Sequence, residues 1–131
     1  MKLNHIGLNV QSKDELVDFY QNILGFNFEY QFALNSVFAT IFFGIIKQPE
    51  VFLYKKENLH FELFIYSENA KMGFAHLCLE VTNRKIIAKR SENAGYPITR
   101  IQRNDKPDII FIKDKARNIF ELKIENNENL S

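Results

Sequence analysis

The chain has 131 residues, which suits one domain or two small modules sharing a core. It is 46% hydrophobic and 25% charged, with 13 Phe and 5 Tyr, so an ordinary globular protein with a sizeable core is expected. The net charge is +1, with Lys and Arg spread along the chain, and the densest apolar stretch, Val37 to Ile46, falls far short of the ~20 residues of a spanning helix; neither nucleic acid nor a membrane is expected as a partner.

In chain order, Leu3–Val10 alternates and reads as a strand. From Ser12 to Gly25 the apolar residues Leu16, Val17, Phe19, Tyr20, Ile23 and Leu24 have helical spacing, with Ser12 or Asp14 as cap and Gly25 as stop. A strand over Asn27–Leu34 follows. Asn35–Gln48 is a helix if Ser36 caps it, or a strand by its Phe and Ile content; Pro49 ends it. Further strands are expected at Glu50–Lys55, Leu59–Tyr66 and Gly73–Val81. A helix over Arg84–Gly95 then precedes strands at Ile98–Arg103, Ile109–Lys113 and Ile119–Ile124. Residues 126–131 form a polar, disordered tail. Cys78 has no partner for an internal disulfide, and the N-terminus has no apolar signal core, which fits a cytoplasmic protein.

The chain contains itself twice. His5-Ile-Gly-Leu-Asn-Val10 returns as His76-Leu-Cys-Leu-Glu-Val81, each followed by a helical segment ending in Gly, and Phe-Glu-Leu occurs at 61–63 and 120–122. His5 to Glu62 spans 57 residues and His76 to Glu121 spans 45, so the first copy carries an insertion of 12, placed at Asn35–Gln48. The plan is βαβββ twice, an α+β arrangement with module one over 2–67 and module two over 73–125.

Strand sidedness then singles out four residues. Ile6, Leu8 and Val10 oppose His5; Phe61, Leu63 and Ile65 oppose Glu62; Leu77, Leu79 and Val81 oppose His76; Phe120, Leu122 and Ile124 oppose Glu121. On an open sheet such residues are ordinary solvent-facing groups. Their recurrence as His–Glu and His–Glu favours convergence on one divalent ion, for which zinc, nickel, cobalt, manganese or iron suits imidazole and carboxylate.

These residues resemble the vicinal oxygen chelate superfamily, which includes glyoxalase I, methylmalonyl-CoA epimerase, extradiol dioxygenases and the fosfomycin- and bleomycin-resistance proteins. The carriers are Leu3–Val10, Asp18-Phe19-Tyr20 through Leu24-Gly25-Phe26, Phe61-Glu62-Leu63, Gly73-Phe74-Ala75-His76 and Asn118–Leu122. The resemblance implies a single domain whose paired modules form a cupped mixed sheet around the metal, with helices on the outer face. It also implies His5, Glu62, His76 and Glu121 as ligands. The implied function is a divalent-metal-dependent lyase or isomerase of glyoxalase or epimerase type, moving a proton beside a metal-polarised carbonyl or its enediolate, with Glu62 and Glu121 as acid and base. A ferrous ring-cleaving or other dioxygenase, and a non-catalytic binding or resistance protein, are the alternatives. A small-molecule substrate and a homodimer accompany the resemblance.

The chain departs from the family in two places. Asp114-Lys115-Ala116-Arg117-Asn118 stands where the superfamily usually has Asp-Pro-x-Gly-Asn, and Asn9 stands where bacterial glyoxalase I typically has the Arg that helps bind glutathione, which speaks against that substrate. His60, on the face of Glu62, is a pocket group or a rim residue. Arg100 and Arg103, on a strand expected to line the cup, anchor an anionic substrate or are solvated. Cys78 reads as a small buried thiol, and Arg84, Lys85, Lys89 and Arg90 as the wet face of a helix.

Overall fold

In the computed structural model, residues 1–69 and 73–125 are described; the tail at 126–131 lies outside them. The chain divides into two compact units, Met1–Asn69 and Ala70–Ser131.

In the first unit, β1 (Ile6–Val10) runs parallel to β4 (Leu59–Ile65). β3 (Glu50–Lys56) pairs antiparallel with β4, and β2 (Asn27–Ala33) with β3, giving the order β1-β4-β3-β2. A parallel neighbour requires a crossover, and the segment after β1 supplies it. That segment is helical, but its core Leu16–Gln21 is a wide, π-type helix. The amides of Asn22 and Leu24 donate to the carbonyls of Val17 and Phe19, five residues back, at 2.9 and 3.1 Å. Phe19, Tyr20, Ile23, Leu24 and Phe26 are buried, as are Phe61 and Leu63 of β4. Phe26 stacks on the Phe61 ring at 4.5 Å, and Tyr20 meets it edge-on at 6.0 Å. Gly25, at φ 78°, turns the chain out of the helix, and Lys56 Nζ donates to the Leu24 carbonyl at 3.0 Å.

The insertion is a helix, α1 (Ser36–Phe43), ended by Gly44 at φ 68°. Its cap is Asn35 and not Ser36: the Asn35 Oδ1 accepts from the Val37 amide at 2.8 Å. α1 lies on the Glu62 side of its own sheet. Phe43 meets Phe64 at 5.7 Å, and Phe64 shares the side of β4 that carries Glu62.

The second unit repeats the plan without the insertion. β5 (Leu77–Val81) is parallel to β8 (Ile119–Ile124), β7 (Ile109–Lys113) lies beside β8, and β6 (Ile98–Ile101) forms the other edge. α2 (Arg84–Asn93) packs Ile87 and Ala88 over a core of Ile110, Ile112, Phe120 and Leu122. Arg84 is buried, unlike the wet face expected of it, and donates to the Asp108 carbonyl. The turn at Asp114–Asn118 is held from within. The buried Asp114 carboxylate accepts from the Asn118 amide at 2.8 Å and its side-chain Nδ2 at 2.7 Å. Arg117 takes the left-handed conformation, φ 69°, that glycine adopts most easily. The register into β8 is undisturbed.

Candidate functional site

Register brings each His to its Glu. β1 and β5 begin later than alternation suggested, at Ile6 and Leu77, so His5 and His76 each lie just before a strand. Gly7 is opposite Glu62, and Cys78 is opposite Glu121. Each His stands two residues before that position, so it leaves the backbone on the same side as the Glu. His5 Nε2 is 3.3 Å from Glu62 Oε1 in the first unit. His76 Nε2 is 3.6 Å from Glu121 Oε1 in the second.

The far nitrogens are also held alike. His5 Nδ1 lies 2.8 Å from Asn4 Oδ1, and His76 Nδ1 lies 2.8 Å from the Phe74 carbonyl oxygen. A carbonyl oxygen only accepts, so Nδ1 carries the proton and donates it. A neutral ring then turns a bare Nε2 toward a carboxylate, two acceptors facing each other, and a cation is needed between them: a proton or a metal ion. Ligand atoms about 2.1 Å from one ion and about 90–110° apart are separated by about 3.0–3.4 Å. The first pair falls in that range and so fits two ligands of one divalent metal, and the second lies just beyond it. Among the described residues no group of three or more His, Cys, Asp or Glu side chains is gathered; each unit by itself offers two.

In the first unit, His60 shares the face of Glu62, and both line up with β3 through the pairs His60–Lys55 and Glu62–Leu53. With His5 it lines an open, polar cavity of about 800 Å³ that also includes Glu29 and Tyr30. Glu29 escaped the sequence reading because it sits at a bulge, between the pairs Phe28–Tyr54 and Tyr30–Leu53, that no residue pattern marks. Its carboxylate lies 3.7 Å from His60 Nδ1 and 3.9 Å from Lys55 Nζ. Asn9 borders a second cavity, of about 190 Å³, between α1 and the sheet.

In the second unit the His76 ring stacks on Phe111 at 5.9 Å, and Phe111 is the residue opposite Glu121 on β7. Cys78 is exposed, not buried, beside Glu121. Partial burial of its sulfur, then the Glu121 carboxylate, push the thiol pKa up, with Lys123 opposing. Arg100 pairs with Ile110, which pairs with Leu122, so Arg100 belongs to the α2 side of the sheet. Thr99 and Ile101 occupy the Glu121 side instead. Arg103 lies past the end of β6, where its Nε donates to the Pro107 carbonyl at 2.9 Å.

A family profile described as the Glyoxalase/Bleomycin resistance protein/Dioxygenase superfamily matches residues 4–111. No curated protein matches the chain by sequence. Among solved structures, a variant of the fosfomycin resistance protein FosX from Listeria monocytogenes, complexed with Mn(II) and 1S,2S-dihydroxypropylphosphonic acid, is 17% identical, with a TM-score of 0.73 over 98% of this chain and 96% of that one. A glyoxalase family protein from Bacillus cereus is 13% identical, with a TM-score of 0.73 over 97% and 95%. Another from Enterococcus faecalis is 17% identical, with a TM-score of 0.68 over 92% and 95%. At these identities the likeness is one of fold.

Proposed function

Because the chain belongs to the glyoxalase/bleomycin resistance protein/dioxygenase superfamily, we propose that it is a divalent-metal-dependent lyase or isomerase of glyoxalase or epimerase type acting on a small molecule. His5, Glu62, His76 and Glu121 hold the ion: zinc, nickel, cobalt, manganese or iron. The observation that carries this reading is the repeated geometry, a Nδ1-anchored His whose Nε2 faces a Glu at 3.3 Å in one unit and 3.6 Å in the other. A pair of chance ion pairs has no reason to reproduce the strand register, the acceptor on the far nitrogen and the spacing together.

When bound, the ion polarises a carbonyl of the substrate. Glu62 and Glu121 are the acid/base pair: one carboxylate takes the proton from the carbon next to that carbonyl, and a carboxylic acid returns a proton to the product. Asn4 and the Phe74 carbonyl keep the two imidazoles in one tautomer and one orientation. The reading includes a cytoplasmic homodimer. Val37, Phe38, Ile41 and Phe42 of α1 are exposed, apolar surface of the kind that partners cover.

Elemental analysis after metal removal and reloading tests the proposal. Mn(II), the ion of the Listeria FosX complex, is the first to load, and about one equivalent per chain is expected. Less than a tenth of an equivalent for every ion tried sinks the metal site and leaves a non-catalytic binding protein. Retained iron with oxygen uptake moves the chain to the dioxygenases.

A further inference from the structure

Only the first unit carries the insertion, and the insertion makes a cavity there. α1 lies across the side of the sheet that bears Glu62 and encloses about 190 Å³ against β1 and β4. Ala39, Phe43 and Ile45 line it from the insertion and Gly7 and Phe64 from β1 and β4, with the Phe43 and Phe64 rings in contact at one side, and Leu34 and Pro49 complete it where β2 and β3 meet the insertion. The polar side chains on this lining are Asn9 and Tyr66.

We propose that this cavity holds an apolar group of the substrate the size of one six-membered ring, while the oxygen-bearing end of the same molecule lies at His5 and Glu62. The second half of that statement rests on the metal-dependent reading above; the first half stands on the cavity alone. Size comes first. A dry apolar cavity of about 150 Å³ takes up benzene, so one ring or a short branched alkyl group fits here.

Position comes next. Gly7 lines the cavity and is also the residue opposite Glu62. Phe64 stands two residues beyond Glu62 on the same side of β4, about 7 Å along a strand. That separation matches a ring joined directly, or through one carbon, to the carbons that bear oxygen. The group this cavity takes is therefore a small aryl or branched-alkyl substituent one or two bonds from the atoms that lie at His5 and Glu62.

Gly7 has a part in this. A Cβ built on it meets Phe64 Cε1 at 3.3 Å, tighter than an ordinary contact, whereas the same register position in the second unit carries the side chain of Cys78. The absent side chain lets the Phe64 ring lie close to β1 and leaves the cavity wall flat beside Glu62.

Toluene is the probe for the ring site. Titrated into the metal-free, nitrogen-15-labelled chain, it is expected to saturate and to shift the amides of Gly7, Ala39 and Ile45. Ala39→Leu, which fills the space from the α1 side, is expected to weaken it at least tenfold with the thermal midpoint retained. Gly7→Ala, which displaces the Phe64 ring, serves if that variant does not fold. With Mn(II) loaded, phenylglyoxylate should bind at least tenfold more tightly than glyoxylate. No saturable shift at those amides, or equal affinities for phenylglyoxylate and glyoxylate, overturns the ring site. Toluene binding in a chain that takes up none of the ions tried keeps the ring site and sinks the metal reading, so the two failures are distinct.

Discussion

Replacing Asn4 with Ala removes the acceptor that holds the proton on His5 Nδ1, a contact of 2.8 Å. Loss of such an outer partner costs a metal site about 10–100-fold in affinity. Asn4 and His5 are both exposed, so water can take over the Nδ1 proton once the amide is gone. The lower end applies, about tenfold or ~1.4 kcal/mol. Asn4 precedes β1 and joins no strand ladder, so the unfolding midpoint should not move. His76 is a built-in control, because its acceptor is a main-chain carbonyl that the substitution leaves in place. The assay is a Mn(II) or Zn(II) titration of the metal-free chain in competition with a chromophoric chelator at fixed pH. Asn4→Asp is run beside it, since its carboxylate accepts the same proton and should hold affinity at or above the starting value. A change of less than threefold in Asn4→Ala, or equal losses in both variants, would refute the role given to this contact.

Three further outcomes concern stability. Asp114→Ala deletes two hydrogen bonds that a buried carboxylate accepts from Asn118 and should cost about 2–4 kcal/mol in urea unfolding; a loss below about 1 kcal/mol would mean that the turn is held by its flanking strands. Arg117→Gly relieves a left-handed residue at φ 69°, a strain of about 1–2 kcal/mol. Part of that relief is offset by the ~0.5–1 kcal/mol entropic cost of glycine, so a small rise in melting temperature is expected, and a fall would contradict the account of the turn. Burial raises the pKa of Tyr54 above its ordinary value of 10.0. The folded state therefore keeps its phenol proton where the unfolded state loses it. That contribution is intact below pH 10 and lost as pH rises beyond it. Tyr54→Phe should flatten the decline of stability above pH 10, and an unchanged slope would show that the decline arises elsewhere.

The His–Glu pairs were legible because strand alternation has a period of two and the chain states the pattern twice; one residue of slippage in either copy would have put His and Glu on opposite sides. The helix after β1 was legible as a helix, but its width was not, because Leu16, Phe19, Tyr20, Ile23 and Leu24 suit a five-residue hydrogen-bond spacing as readily as a four-residue one. Asn35 and Ser36 both have cap-forming side chains, and only the backbone conformation decides between neighbours. The sequence leaves Arg100 open between a substrate anchor and a solvated residue because β6 is four residues long and carries too little apolar alternation to declare its face. Its register is set by β7, through Arg100–Ile110. Cys78 was read from its residue type, which favours burial, when its pairing with Glu121 fixes the exposed side. Arg84 was grouped with its charged neighbours, and nothing in that cluster signals which arginine turns inward to the Asp108 carbonyl.

The place where α1 was added has a consequence for how this chain can change. It interrupts the connection between β2 and β3, whereas the corresponding connection between β6 and β7 runs without a helix. Antiparallel neighbours tolerate a longer or shorter link because their ladder is pinned along its length, here from Asn27–Lys55 to Ala33–Glu50 between β2 and β3. The β1–β4 pairing that positions Glu62 takes no part in that link. This connection is therefore an interchangeable part: a different insert there can reshape what the chain accepts while the residues that do the chemistry stay where they are.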